Sequence, residues 1–135
     1  MDENNKYQDF TNLDIWKLSH ELRMKVGIIC KFLPDEEKYN VASQIRRSSS
    51  SVGANIAEGH GRFHYQENIQ FCRQARGSLD ETRDHLIYIK DLKYIKKEGS
   101  IEHLIELCQK IKKKLNGYIA YLQKCKKINT NNLIV

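Results

Sequence analysis

Turn-forming residues are scarce in this sequence of 135 residues, which has one proline, Pro34, and seven glycines. A fold of many β-strands needs frequent turns, so this scarcity argues against one. No stretch approaches the roughly 20 apolar residues that cross a bilayer, and the polar start, residues 1–12, has no apolar core like that of a signal peptide. We therefore expect a cytoplasmic protein that has no membrane partner.

Metal and disulfide chemistry also have little support. The four cysteines, Cys30, Cys72, Cys108 and Cys125, have no CxxC spacing, and each falls at an apolar position of a helical pattern. A thiol at such a position behaves as a small hydrophobe. Cys108 and Cys125 share one predicted helix and would lie about 25 Å apart, which excludes a bond between them. We expect buried, reduced thiols.

The positive charge is unevenly distributed. The formal net charge is +6, yet residues 90–127 contain eleven lysines against four acidic residues and carry +7 by themselves. Such a segment attracts nucleic acid or another anionic surface, although a solvated lysine-rich face that maintains solubility would have the same composition. The lysines predicted to contact nucleic acid are Lys110, Lys112, Lys113, Lys114, Lys124, Lys126 and Lys127.

Apolar residues recur every three or four positions in four stretches, which predicts four amphipathic helices over about 13–32, 36–58, 64–92 and 100–126. Thr11 or Asn12 could serve as the N-cap of the first helix. The serine run 48–51 is read as part of the second helix, which Gly53 would weaken locally. Gly59 and Gly61 would end that helix with left-handed backbone.

These helices have short connections, which favours an all-α, antiparallel up-down four-helix bundle. The bundle would occupy residues 13–126, between a flexible N-terminal segment, 1–12, and a flexible tail, 127–135.

Helical bundles often hold metals, and each kind of metal site has a characteristic spacing of its ligands. A di-iron bundle requires two Glu-x-x-His pairs, and no glutamate here precedes a histidine at that interval. His60 and His64 are four apart, but the glycines flanking His60 make a shared helix face doubtful and favour surface histidines in a loop. No nucleophile elbow, phosphate loop or dinucleotide fingerprint is present. We expect no enzymatic activity, metal or cofactor.

The predicted second and third helices are unusually polar. A polar group between helices must be hydrogen-bonded, and the planar arginine side chain suits a paired carboxylate. These residues could form a network that sets helix register or a subunit contact, or they could line a phosphate site. The candidate residues are Gln44, Arg46, Arg47, Asn55, Glu58, Arg62, Arg76 and Glu81.

Several of these residues belong to short motifs. The motifs are Leu13-Asp14-Ile15-Trp16, Phe32-Leu33-Pro34, Ser43-Gln44-Ile45-Arg46-Arg47-Ser48, Asn55-Ile56-Ala57-Glu58-Gly59 and Ala75-Arg76-Gly77-Ser78-Leu79. They resemble the bacterial four-helix-bundle family named after proteins encoded in intervening sequences of 23S ribosomal RNA genes. Gly53 departs from the family, which usually has proline there.

The resemblance implies a four-helix protomer that assembles into a homopentameric ring. The sequence is also distantly similar to the accessory subunit of diversity-generating retroelements, a basic pentameric bundle that works with nucleic acid. Our leading hypothesis is a homo-oligomeric, non-enzymatic scaffold that contacts RNA or DNA backbone through its fourth helix. The alternative is a protein-interaction ring with no nucleic-acid role, in which the second and third helices form the subunit contact and the partner is an unknown protein.

Overall fold

The computed structural model describes residues 8–134 of the chain, with side chains described through residue 131. Four helices make up this part: α1 (Asp14–Cys30), α2 (Val41–His60), α3 (Tyr65–Asp91) and α4 (Ser100–Ile134). Two short 3-10 turns, Phe10–Asn12 and Asp35–Glu37, precede α1 and α2. The described residues include no strand, so the predicted all-α four-helix fold is confirmed.

Each helix packs against its neighbours in the chain, and α4 closes the bundle by packing against α1. Pairs of side chains between α3 and α4 show that these two helices are antiparallel. Lys112 contacts Asp80, whereas Lys126, further along α4, contacts Gln66, which is earlier in α3. This arrangement is the up-down order that short connections favour.

The core consists of aliphatic side chains from all four helices, spaced three or four residues apart as the sequence predicts. Burying one such side chain stabilises the fold by about 1.5–3 kcal/mol, so this core supplies most of the favourable free energy of folding. Its largest fully buried members are Leu22, Ile45, Ile56, Ile69, Leu79, Leu86, Ile89, Ile111, Leu115 and Leu122.

The first helix begins without a side-chain cap. Leu13 occupies the N-cap position of α1, so the predicted capping role of Thr11 or Asn12 is wrong. Both residues belong instead to the preceding 3-10 turn. The ring of Phe10 in that turn packs edge-on against Trp16, with centroids 5.3 Å apart. The first seven residues of the predicted flexible segment, 1–7, lie outside the described residues.

The second helix begins at Val41, five residues after the predicted start at position 36. Residues Asp35–Glu37 form a 3-10 turn. Asn40 has φ −117° and ψ −109°, which lie outside the helical region, so the turn does not continue into α2 as one helix. Glu37 is only 5% exposed, and its Oε1 accepts a hydrogen bond from Asn40 Nδ2 at 2.9 Å. The acidic residues after the proline therefore shape a turn and do not open α2.

The serine run lies inside α2, as predicted, and Ser48 and Ser49 are buried. The helix is also continuous at Gly53. The Trp16 indole covers this glycine so closely that an added Cβ would lie 3.4 Å from the indole Nε1. Small residues on this face of α2 thus allow α1 to approach.

The second helix ends at His60, as the glycine pattern indicates, but the predicted left-handed backbone is wrong. Gly61 has φ −76°, in the right-handed region. Gly59 is the last buried residue of α2 and packs against Asn68 and Phe71 of α3. Lack of a side chain therefore matters at Gly59 because two helices approach closely, and not because of its backbone angles.

The fourth helix runs to Ile134, eight residues beyond the predicted end at Lys126. Asparagine lowers helix propensity only slightly, and neither glycine nor proline follows Gly117 in this helix. The Thr130 hydroxyl also donates a hydrogen bond to the Lys126 carbonyl at 3.0 Å, within the same helix. The predicted boundary between bundle and tail, at 126–127, therefore falls inside α4.

Candidate functional site

The seven predicted lysines lie on the C-terminal two thirds of α4. From Lys110 onward this helix contains no aspartate or glutamate. Lys110, Lys113, Lys114, Lys124 and Lys127 are exposed; the first three alternate with buried positions that face the core, and the last two follow Leu122, the last buried position described in this helix. Together with Lys112 and Lys126, they form a surface that we call the α4 lysine face.

Two lysines of this face also contact α3. Lys112 Nζ lies 3.0 and 3.1 Å from the two carboxylate oxygens of Asp80, and Lys126 Nζ donates to Gln66 Oε1 at 2.5 Å. Asp80 neutralises part of the charge of Lys112, whereas Gln66 leaves the charge of Lys126 uncompensated. Lys126 therefore keeps its full positive charge near the C-terminal end of the helix, whereas that of Lys112 is partly compensated.

A groove of about 370 Å³ lies between α3 and α4 at this end. Arg73 of α3 and Lys126 and Lys127 of α4 line it, together with the amides of Gln66 and Gln123, and none of the acidic residues that the structure describes does. The sequence-based site omitted Arg73, because only the packing of α3 on α4 brings it beside the lysines. Its position adds a cation with a planar, multiple-donor head to the α4 lysine face.

The eight predicted polar residues of α2 and α3 do not form one network. Arg47 of α2 reaches across to the Glu81 carboxylate of α3, and its Nη2 also donates to Gln44 Oε1 at 3.2 Å. His85 Nε2 lies 3.3 Å from the same Glu81 carboxylate. The arginine–carboxylate pair expected from the sequence is present here, and so is the helix-surface pair of Glu81 with His85 that their spacing of four residues predicts.

The other predicted residues lie elsewhere. Arg62 Nη2 pairs with Glu58 at 3.0 Å where α2 ends, and Arg76 Nη1 donates to Asn116 of α4 at 2.8 Å. Arg46 lies on the α1 side of the bundle, where an added Cβ at Gly27 would be 4.0 Å from its Nη1. The four predicted arginines thus have their contacts in different parts of the bundle.

A hydroxyl ladder between α2 and α3 occupies the interface itself. Thr82 Oγ1 donates to Ser48 Oγ at 2.8 Å, and both residues are fully buried. One turn away, Ser78 Oγ donates to Ser51 Oγ at 3.0 Å. Ser51 also accepts a hydrogen bond from the predicted residue Asn55, at 2.9 Å. The spacing of Ser48 in the apolar stripe indicated its burial, but its partner could not be read from the sequence.

Burial keeps two thiols protonated. It raises the pKa of Cys72 and of Cys108 to about 12, so neither is a thiolate at neutral pH. All four cysteines are free; Cys30 is also buried, whereas Cys125 is half-buried, contrary to the expectation for that residue. Thiolate is the form that attacks substrates and binds metals, so these two buried residues are packing groups.

The two candidate histidines do not share a helix face. His60 ends α2 and its Nε2 lies 2.5 Å from the carbonyl oxygen of Gln8, whereas His64 is the N-cap residue of α3. Within residues 8–134, no three His, Cys, Asp or Glu side chains are grouped in a way that could hold a metal ion. In the same part of the chain, no helix is both long enough and apolar enough to span a membrane.

Residues 11–117 match the family described as 23S rRNA-intervening sequence protein. The chain belongs to this family. Its fold is also similar to the crystal structure of a protein of unknown function from the S23 ribosomal protein family of Bacteroides thetaiotaomicron VPI-5482, with a TM-score of 0.71. The two sequences are 27% identical, and the similarity covers 78% of this chain and 97% of that one. No curated protein matches the chain.

The predicted family resemblance is thus confirmed. The match to the 23S rRNA-intervening sequence protein family includes Lys110 to Lys114, whereas Lys124, Lys126 and Lys127 lie beyond its end. The related structure carries no assigned activity, so the family indicates neither an enzyme nor a ligand.

Proposed function

We propose that this protein is a non-enzymatic, homo-oligomeric scaffold that binds the phosphate backbone of RNA or DNA through the α4 lysine face. The observation that carries the proposal is the acid-free run of seven lysines, extended across the groove by Arg73. Cations arranged along a helix in this way match a polymer that carries one negative charge per phosphate. The proposed site has no metal or cofactor.

The binding should be electrostatic and largely independent of base sequence. Each phosphate neutralised by a lysine or arginine releases condensed counterions, so affinity falls steeply as salt concentration rises. Exposed aromatic residues that could stack on bases do not alternate with the lysines of α4. Assembly of several copies would strengthen the interaction, because one polymer could contact several lysine faces at once.

Binding of a labelled RNA of mixed sequence, and of the corresponding DNA, should be measured by fluorescence anisotropy across a salt series. We expect affinity to fall more than about tenfold between about 50 and 200 mM salt. The triple variant Lys110→Glu, Lys113→Glu, Lys114→Glu should weaken binding to both polymers alike. These three outward lysines are preferable to Lys112, whose replacement would also break the ion pair with Asp80.

The matched control is Lys17→Glu, Lys31→Glu, Lys38→Glu, which makes the same change in net charge on exposed lysines outside α4. It should retain most of the affinity if the α4 lysine face is the site. Equal losses in the two triple variants would mean that net charge alone decides binding and would refute this site. Binding that does not depend on salt would refute the mechanism.

The alternative function is a protein-interaction ring in which α2 and α3 form the subunit contact. It is favoured by the side chains of Arg47 and Glu58, which are each 57% exposed although both make ion pairs within the chain. Such side chains still have hydrogen-bond donors and acceptors that could bind a second copy of the chain or a partner protein. If no RNA or DNA binds at low salt while the assembly is intact, this alternative replaces the first proposal.

A further inference from the structure

A second cavity lies away from the α4 lysine face. A cleft of about 1000 Å³ opens between the C-terminal half of α1, the connection from α3 to α4, and the first turns of α4. None of the seven lysines of the α4 lysine face lines it. The proposed binding of nucleic acid therefore leaves this cleft without a role.

The walls of the cleft are apolar and open to solvent. Phe32 is 68% exposed and Ile28 is 55% exposed, one helical turn apart at the end of α1. Tyr94, Ile95 and Leu104 line the opposite side. Cavities that bind small molecules are mostly apolar with a few polar groups, and this one has the size and composition of that class.

The polar groups at the rim are mainly cationic. Among the described residues, Lys25, Lys96 and Lys97 line the cleft with a single carboxylate, that of Glu98. Lys25 Nζ lies 3.0 Å from His103 Nε2, which places the ammonium group at the cleft, although it also lies 3.6 Å from Glu21 Oε1 on α1. This rim would attract an anionic group and repel a cationic one.

We propose that the cleft binds a medium-chain fatty acid, that is, an alkyl chain that ends in one carboxylate. The alkyl chain of the fatty acid would lie between Phe32 and Ile28 on one side and Leu104 on the other. Its carboxylate would lie among Lys25, Lys96 and Lys97. Apolar walls and a cationic rim match the two halves of this molecule. A nucleotide would lack the apolar surface, and an alkylammonium would carry the wrong charge.

Calorimetric titration with octanoate, decanoate and dodecanoate, each below its micelle concentration, tests the proposal. Affinity should rise about fourfold for each CH₂ that the cleft buries. Phe32→Asp should weaken decanoate binding more than about tenfold, since it places a negative charge in the apolar wall. Lys96→Ala with Lys97→Ala should weaken decanoate while leaving decanol unaffected, because only the acid has a charge to lose.

Two controls separate the cleft from general surface effects. Tyr39→Asp changes an exposed aromatic residue at the same end of the bundle that does not line the cleft, and Lys113→Ala with Lys114→Ala removes two lysines of the α4 lysine face. Both variants should bind decanoate as the wild type does. Equal binding of decyltrimethylammonium and decanoate, or equal losses in Tyr39→Asp and Phe32→Asp, would overturn the proposal.

Light scattering without ligand completes the test. If Phe32→Asp lowers the mass of the assembly, this surface is a contact between copies and the fatty-acid site is refuted. The expected result is an unchanged mass. Nucleic-acid binding by Phe32→Asp should also be unchanged, so the fatty-acid proposal and the proposed function fail or succeed separately.

Discussion

Gly59 of α2 has no room for a side chain, because an added Cβ would lie 2.7 Å from Asn68 Oδ1 of α3. The same Cβ would lie 2.8 Å from Phe71 Cβ and 3.2 Å from the Asn68 carbonyl oxygen. Asn68 is fully buried, and its Oδ1 also accepts a contact from Cys72 Sγ at 3.5 Å. The amide is thus confined on several sides and cannot withdraw without disturbing the core.

Gly59→Ala should therefore lower the free energy of unfolding, by about 1–3 kcal/mol for overpacking, reduced by the roughly 1 kcal/mol that alanine gains in helix propensity. The control is Gly77→Ala, in the middle of α3, where an added Cβ meets no atom within 4 Å. That variant should be more stable than the wild type by about 0.5–1 kcal/mol. Urea denaturation measures both, and a stabilised Gly59→Ala would contradict the close approach.

The buried hydroxyl pair of Ser48 and Thr82 predicts a coupled effect. Thr82→Val should cost about 1–2 kcal/mol, because it leaves the Ser48 hydroxyl in the core without its cross-helix partner. The double variant Ser48→Ala, Thr82→Val should lose less stability than the two single variants lose in sum, since both polar groups are then gone. Denaturation of the four proteins completes the cycle, and strict additivity would mean that the two hydroxyls do not interact.

The two α2 arginine–carboxylate pairs distinguish a role inside the chain from a role between copies. Arg47→Ala and Glu58→Ala should each change the free energy of unfolding by less than about 1 kcal/mol, because exposed ion pairs contribute little. If α2 and α3 form the subunit contact, the same variants should lower the mass of the assembly in light scattering. An unchanged mass in both would count against that contact, with Lys17→Ala as the control away from it.

Burial of Cys72 and Cys108 predicts a loss of stability at alkaline pH. The pKa of each thiol rises from 9.0 to about 12 in the folded chain, so the unfolded chain releases these protons first as pH increases. The neutral thiols contribute fully below about pH 9, and their contribution is lost as pH rises toward about 12. Between about pH 8 and 10.5, Cys72→Ala, Cys108→Ala should lose less stability than the wild type. The free energy of unfolding is measured by urea denaturation at each pH. If it falls equally with pH in the two proteins, the raised pKa values of the two thiols are refuted.

Helical periodicity predicted the fold well because burial recurs with the period of the helix. All four helices were found, and the serine run was placed correctly because Ser48 occupies an apolar-stripe position between Ile45 and Val52. Helix ends were predicted less well. The turn Asp35–Glu37 and the start at Val41 depend on where neighbouring helices hold the chain, which local spacing does not record.

The lysines of the candidate site could be predicted from the sequence, but their partners on other helices could not, for a related reason. The lysines of α4 are a property of composition and could be identified at once. Partners such as Asp80 for Lys112 and Asn116 for Arg76 are 32 and 40 residues away in the sequence. The register of α3 on α4 brings them together, and composition contains no information on that register.

The sequence by itself determined the class of this protein: an all-helical chain with a strongly basic fourth helix and the motifs of its family. These follow from residue types and their spacing, which act locally through helix propensity and burial. Only the tertiary structure decided which charges remain free, which carboxylates are paired, and where the apolar cleft opens beside Phe32. Those features depend on distances between side chains on different helices, and packing of the four helices sets these distances.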